Sequence, residues 1–343
     1  MLRMREPEFW RRRSLLSLLL MPLAALYGAI AASRMRKPGR SIAVPVICVG
    51  NYHGGGAGKT PTTLTLVALL RELDETPVVL SRGYGGSLNG PVEVDPDRHS
   101  AAEVGDEPLM MARSVPVVVA KDRVAGATLA MSRRASVIVM DDGFQNPALA
   151  KDVSLIVIDA RRGIGNGRVI PSGPLRAPLP LQCERTDALL IIGAGSAADP
   201  VAARLKSKGV PTLRGHLAPD PACVEALRGR AVLAFAGIGD PERFFATLRA
   251  SGIEVAAERP FPDHHPYSGD DVAALLDRAR RDGLTLVTTE KDLARLGDQP
   301  QLAEAGLTAL PVTLALEDEA GFRRFVIAQL GAARDRRFRG NRR

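Results

Sequence analysis

Pro45-Val46-Ile47-Cys48-Val49-Gly50-Asn51-Tyr52-His53-Gly54-Gly55-Gly56-Ala57-Gly58-Lys59-Thr60-Pro61 is the stretch that decides the fold. A short apolar run rich in β-branched residues stops at a glycine loop, the loop ends in Gly-Lys-Thr, and a helical pattern follows (Leu64, Leu66, Val67, Leu69, Leu70). Strand, glycine loop and helix in this order form a phosphate cradle. Backbone N–H groups of Gly54, Gly55, Gly56, Ala57 and Gly58 face phosphate oxygens, Lys59 reaches the outer phosphates, and the Thr60 hydroxyl can hold Mg²⁺ at the positive end of the helix. The spacing is shifted: the glycine usually found five residues before Gly58 is here His53. The plain alternative is a glycine-rich turn that binds nothing, and the order of the parts argues against it.

Outward from the loop, apolar runs alternate with helical stretches: Val44–Val49, Pro77–Ser81, Val115–Ala120, Ser136–Met140, Ser154–Asp159 and Ala188–Gly193. Nearly continuous apolar strands imply a mainly parallel sheet covered on both faces, an α/β doubly wound architecture of the phosphate-loop NTPase type. Ligands then sit at the C-terminal ends of the strands. The pattern breaks around Gly215–Leu227 and restarts as a second, smaller α/β unit. The expected division is an N-terminal membrane-associated helix over 1–40, a nucleotide-binding kinase domain over 41–217, a smaller domain over 226–332, and a disordered basic tail over 333–343.

A chain of 343 residues has room for two such domains. Its net charge of +8 belongs to its ends: residues 1–40 hold nine basic and two acidic residues, and 334–343 hold six arginines and one aspartate. The body between is net acidic, so a nucleic-acid face is not indicated, and aromatic residues at 4% are too few for base stacking. Three cysteines, Cys48, Cys183 and Cys223, lie far apart and fit a reduced, cytosolic protein. Leu15–Ala32 carries no charge over eighteen residues, at the short limit for a span, and has arginines on both sides. An anchor lying in one leaflet is expected, with a single span as the alternative. Export as a signal peptide would carry a nucleotide loop away from ATP.

Several residues at strand ends can carry chemistry. The strand ending in Asp141-Asp142-Gly143 supplies the Mg²⁺-side acid of such proteins. Gly105-Asp106-Glu107-Pro108 opens a helix; Asp106 reads first as a cap and second as a carboxylate that takes a proton from an attacking hydroxyl. His264 and His265 form a pair in one turn. Arg82 and Arg123 stand at strand ends as surface charge or as phosphate clamps.

Taken together the motifs resemble the tetraacyldisaccharide 4′-kinases, the lipid A 4′-kinases of Gram-negative bacteria. The resemblance runs over nearly the whole chain. It rests on Leu26-Tyr27-Gly28, Val49-Gly50-Asn51, Gly55–Pro61, Ser81-Arg82-Gly83-Tyr84-Gly85, Gly105–Pro108 and Asp141-Asp142-Gly143-Phe144-Gln145, and continues through Gly165–Arg168, Pro171–Arg176, Phe261–His265 and Thr288–Asp292. It implies transfer of the ATP γ-phosphate to the 4′-hydroxyl of a tetraacylated glucosamine disaccharide 1-phosphate, in a cleft between two α/β domains at the cytoplasmic face of the inner membrane. It implies Asp106 as base paired with His264, and Lys59 and Asp142 at the reacting phosphate. Thr60, Asp141 and Glu107 fall on the Mg²⁺ side, with Arg82 and Arg123 beside the nucleotide. No obligate protein partner and no nucleic acid are implied. One departure stands out: an acidic residue often follows the arginine of Gly173-Pro174-Leu175-Arg176, and here it is Ala177.

Other readings are weaker. A membrane-recruited partitioning-type ATPase would carry a signature lysine where Gly54 stands. A GTP-binding protein would carry Asn-Lys-x-Asp, whereas Thr289-Glu290-Lys291-Asp292 lacks the asparagine. A non-catalytic lipid-binding module leaves Lys59, Thr60 and Asp141 unexplained.

Overall fold

In a computed structural model, which describes residues 7–12, 14–297 and 299–340, two sheets organise the chain. The large sheet contains β1 (Val46–Gly50), β2 (Pro77–Ser81), β3 (Val92–Glu93), β4 (Val117–Val119), β5 (Val137–Asp141), β6 (Val153–Asp159), β7 (Ala188–Ile192) and β8 (Thr212–Pro219). The small sheet contains β9 (Ala231–Ala236), β10 (Glu254–Pro260), β11 (Thr285–Thr289) and β12 (Thr308–Leu310), after which β13 (Val312–Leu316) returns to the large one. The orders are β13-β8-β7-β6-β1-β5-β2-β4-β3 and β10-β9-β11-β12. All pairings are parallel except at the two edges of the large sheet, where β3 and β13 run antiparallel.

The central strands have no solvated face. Every residue of β1, β5 and β6 is buried. Alternate side chains go to opposite layers, as the two-residue period of a strand requires: Val46 and Cys48 pack with Met35, Ala127, Ala130 and Leu205, while Ile47 and Val49 pack with Leu66, Val67 and Leu70. Helices therefore cover both faces, as the apolar runs imply. The small sheet repeats the plan, with Phe245 and Leu248 of the helix Pro241–Ala250 on one face and Leu275 and Leu276 of the helix Gly269–Asp282 on the other.

Three expectations need correction. Thr212–Pro219 is a strand and not part of the break: Pro219 is its last residue, beyond the stretch Thr212–Gly215 that pairs with β7, and Gly215 is buried where a Cβ would lie 2.6 Å from Ala315 O. The smaller domain does not continue to residue 332. β13 pairs with β8, and Phe322, Val326 and Leu330 of the helix Glu319–Gly340 pack against Leu66 and Leu70 under the large sheet. The tail is also not a disordered end, since that helix runs to Gly340; residues 341–343 lie outside the described residues, as do Arg3, Arg5 and Arg13. Several of the helix's arginines have partners among the described residues, Arg323 on Glu72 being one. Arg334 bonds Glu75, and both terminal nitrogens of Arg337 bond Asp152, at 2.6 and 2.5 Å. Asp152 also accepts the N–H of Val46, so Arg337 ties the chain end to the first residue of β1.

Arg337→Ala is thus expected to cost about 2 kcal/mol, because it strips a largely buried carboxylate of its main cation; Arg336, 3.5 Å from the same carboxylate, softens the loss. Urea midpoints of the wild type and of Arg337→Ala measure this. A dispensable tail would give identical midpoints.

The N-terminal segment forms two helices, Leu15–Leu19 and Met21–Arg36. Ala24, Gly28, Ala32 and Met35 line the buried stripe, while Leu15, Leu19, Leu23, Leu26 and Ile30 face outward, half or more exposed. Among the described residues no helix is long and apolar enough to cross a membrane. The segment is held to the proline-rich loop that follows β6: Ser172 Oγ donates to Ser17 O at 2.5 Å, Arg168 donates to Ser17 Oγ at 3.0 Å, and Trp10 Nε1 donates to Pro171 O at 2.9 Å.

Candidate active site

The glycine loop joins the C-terminal end of β1 to the helix Lys59–Glu72. Gly58 stands before the helix with φ of +88°, and a Cβ there would lie 2.6 Å from Ile192 Cδ1, so both backbone and space require glycine. Gly54 and Gly56 have open space where a Cβ would be, leaving the cradle unobstructed. Lys59 lies at the base of the loop, 9% exposed, with Nζ 3.9 Å from Asp142 Oδ1. Thr60 is buried in the first helical turn.

β5, next to β1, delivers the acidic pair. Asp141 is its last residue, fully inside the protein, with Ser81 Oγ 3.5 Å from Oδ2 and no protein partner for Oδ1. Burial first, then Glu107 and Asp142, push its carboxyl up to about 7. Asp142 turns the chain in the left-handed region, with φ of +47°. Burial opposes its ionisation, but Lys59 and Arg176 overcome that and hold it far below the usual carboxylate range. Arg176 makes a two-pronged contact with it, at 2.8 and 3.1 Å.

The small unit meets the large one at Asp106. Asp106 begins the helix Asp106–Ala112, with Gly105 before it in the capping position. His264 Nδ1 is 2.8 Å from Asp106 Oδ2, and Arg295 Nε is 3.1 Å from the same oxygen. Burial of Asp106 works against its charge, but the hydrogen bond and charge of His264, with Arg295 and Lys291, keep it below its ordinary value. His264 is raised, chiefly by that hydrogen bond. It holds φ of +55°, a strained value for a non-glycine residue, with its N–H on Gly237 O at 2.9 Å. Glu107 pairs with Lys291 of the helix Glu290–Leu296; burial would raise Glu107, but Lys291 and Lys59 hold it down.

The structure thus brings Asp106 to His264, Lys59 to Asp142, and Glu107 within the field of Lys59 and Asp141. Arg82 is exposed on the loop after β2. Arg123, in contrast, is buried at 2% exposure, donating to Ala120 O at 2.6 Å; burial lowers its pKa, and Asp141 is its strongest attractive neighbour. It is a buried neighbour of the acidic pair and not a solvent-facing side chain. Ala177 is fully buried, so no acid stands there, and Glu184 is exposed at the end of the helix Leu179–Glu184.

Sequence reading gave no role to Arg176, Lys291, Asp292 and Arg295. Asp292 is fully buried, accepting from Gly237 N and Tyr267 O–H, and Arg295 bridges it to Asp106. Arg176, Lys291 and Asp292 lie in the stretches Pro171–Arg176 and Thr288–Asp292 that carry the resemblance, whereas Arg295 has only its spacing, four residues after Lys291 on one helix face.

Asp141 Oδ1, buried and without a protein partner, fits a divalent cation. No group of three or more His, Cys, Asp or Glu converges among the described residues.

A doubly wound parallel sheet, a Gly-Lys-Thr loop after its central strand, and an acid pair at the end of the adjacent strand define a protein of the phosphate-loop NTPase type. The particular family follows from comparison. The profile described as Tetraacyldisaccharide-1-P 4′-kinase matches residues 16–331, and the chain belongs to that family. A tetraacyldisaccharide 4′-kinase of Rhodopseudomonas palustris strain BisB5 is 65% identical, covering 98% of this chain and 99% of that protein. One from Nitrobacter winogradskyi is 64% identical, covering 96% and 99%. The crystal structure of the "apo" form of LpxK from Aquifex aeolicus in complex with ATP superimposes with a TM-score of 0.72 at 29% identity, over 92% of this chain and all of that one. The chain is accordingly a lipid A pathway kinase that uses ATP and transfers phosphate to a hydroxyl.

Proposed function

We propose that the chain phosphorylates the 4′-hydroxyl of a tetraacylated glucosamine disaccharide 1-phosphate at the cytoplasmic face of the inner membrane. The observation that carries this reading is the Asp106–His264 pair, which joins the large unit to the small one and whose neighbour Glu107 lies within the electrostatic reach of Lys59. The residues divide the work as phosphoryl transfer requires, mostly positioning and charge neutralisation. Residues 54–60 cradle the ATP phosphates, and Lys59 neutralises the group in transfer. Asp106, ionised and oriented by His264 and Arg295, takes the proton from the sugar hydroxyl. Asp141, with Thr60 and Glu107, stands on the Mg²⁺ side, and Arg176 fixes Asp142. Bound Mg²⁺ supplies charge neutralisation at the phosphates. The outward leucines of the N-terminal helices, flanked by arginines, suit insertion into one leaflet, which presents the cleft to lipid headgroups.

The deciding experiment supplies labelled ATP, Mg²⁺ and the disaccharide 1-phosphate in detergent and looks for label on the lipid. ATP hydrolysis without labelled lipid would favour a switch ATPase and overturn the reading.

The acid pair also sets a pH dependence. A carboxyl raised to about 7 is neutral below that pH, and a cation must displace its proton. The apparent Mg²⁺ affinity is expected to rise about tenfold per pH unit up to about pH 7 and then level off. Mg²⁺ titrations of turnover across this range test it, and Asp141→Asn should flatten the slope.

A further inference from the structure

β6 ends at Asp159, which is 8% exposed and shared between the two units. Its Oδ1 accepts the N–H groups of Arg161 at 2.8 Å and Arg162 at 3.0 Å, and its backbone carbonyl accepts that of Gly163 at 2.8 Å, shaping a tight turn. Its Oδ2 accepts from the guanidinium of Arg243, which comes from the first turn of the helix Pro241–Ala250 in the small unit. The turn delivers Arg162 onto the glycine loop. Arg162 Nη2 donates to Gly54 O at 3.1 Å, and Nη1 lies 2.6 Å from where a Cβ on Gly55 would stand. The other contacts of this part of the loop are local or come from the large unit: His53 Nδ1 lies 2.8 Å from the same Gly54 O, Asn51 Nδ2 donates to Gly55 O at 3.3 Å, and His53 bridges to Leu175.

We propose that Arg243 is a positioning residue for ATP: from the small unit it holds Asp159, and through Asp159 and Arg162 it sets the glycine loop. The contact is separate from the Asp106–His264 pair and involves neither the base nor the acid pair. It gives the small unit a second role, since the unit that carries His264 also braces the nucleotide site. The proposal rests on reading the glycine loop as the ATP site.

The test is steady-state kinetics on the full chain, with ATP and lipid acceptor varied separately. Arg243→Ala is expected to raise the KM for ATP about three- to thirtyfold while leaving the acceptor KM and the kcat within about twofold. Asp159→Asn should do the same, and the double variant should be no worse than either single one, because both break one path. Arg243→Lys should recover part of the loss. Arg249→Ala, on the same helix but paired with Glu258 inside the small unit, should change nothing. Melting temperatures accompany each variant. If Arg243→Ala raises both KM values together with a fall in melting temperature, the pair merely docks the units and the proposal is overturned; an unchanged KM for ATP overturns it as well. Failure of the underlying reading is distinguishable, because Lys59→Ala would then leave turnover intact.

Discussion

Lys59→Ala is expected to lower kcat by about 10³-fold or more, the largest single loss in the protein. Two effects combine. The ammonium is largely buried and sits 3.9 Å from Asp142, so no solvent cation takes its place. It is also the leading attractive influence on Asp142 and one of those that favour ionisation of Asp141 and Glu107. Without it, three carboxyl groups lose a shared counter-charge and the donor phosphates lose their neutraliser. Because the transition state is loose, with charge spread over the transferring group, neutralisation matters more than proton removal. Single-turnover rates with ATP and acceptor both saturating measure the loss. Lys59→Arg keeps the charge but not the shape of a point donor, and is expected to recover little.

Asp106→Asn is expected to cost about 10²-fold in kcat, less than loss of Lys59, with the KM for ATP unchanged. Asparagine keeps the shape and a hydrogen bond to His264, so the loss isolates the negative charge. Comparable losses for Lys59→Ala and Asp106→Asn would contradict the ranking. The pair also sets a pH profile. Asp106 is depressed, so its contribution is present above the ordinary aspartate value of about 4 and is lost as pH falls through its lowered one. His264 is raised, so the ion pair is fully present below the ordinary histidine value of about 6.5 and is lost as pH rises through the raised one. The pair therefore spans the two units between those limits, and wild-type kcat/KM should fall on the alkaline side of the raised histidine value. His264→Gln keeps a hydrogen bond to Asp106 but cannot titrate, and should remove that alkaline limb. A limb that persists in His264→Gln would assign it to another group.

Much of the nucleotide half was legible in the chain because its signals are local. The order strand, glycines, Lys59 and Thr60 is contiguous, and apolar runs such as Ser154–Asp159 mark strands that solvent never reaches. The acid pair was legible because it follows such a run. What escaped was non-local. β8 carries Gly215 and Pro219 and is only partly buried, so it lacks the unbroken apolar pattern. The end of the helix Glu319–Gly340, from residue 333 on, reads as a charged tail because its partners Asp152 and Glu75 and the core under the Lys59 helix are all far away in sequence. Arg295 and Arg243 have no motif around them; their partners lie nearly two hundred and over eighty residues upstream.

The sequence by itself determined the phosphate loop, the doubly wound sheet and, through its scattered short motifs, the kinase family. These depend on backbone conformation and burial period, which neighbouring residues dictate. Only the tertiary structure decided which further charges join the two units around the Asp106–His264 pair that the resemblance implies. It set Arg295 on Asp106, Lys291 on Glu107 and Arg243 on Asp159, and it returned the chain end to β1 through Arg337. Such pairings arise when sheet order and crossover connections bring distant strand ends to one edge, and no local property of the chain encodes which charge will face which.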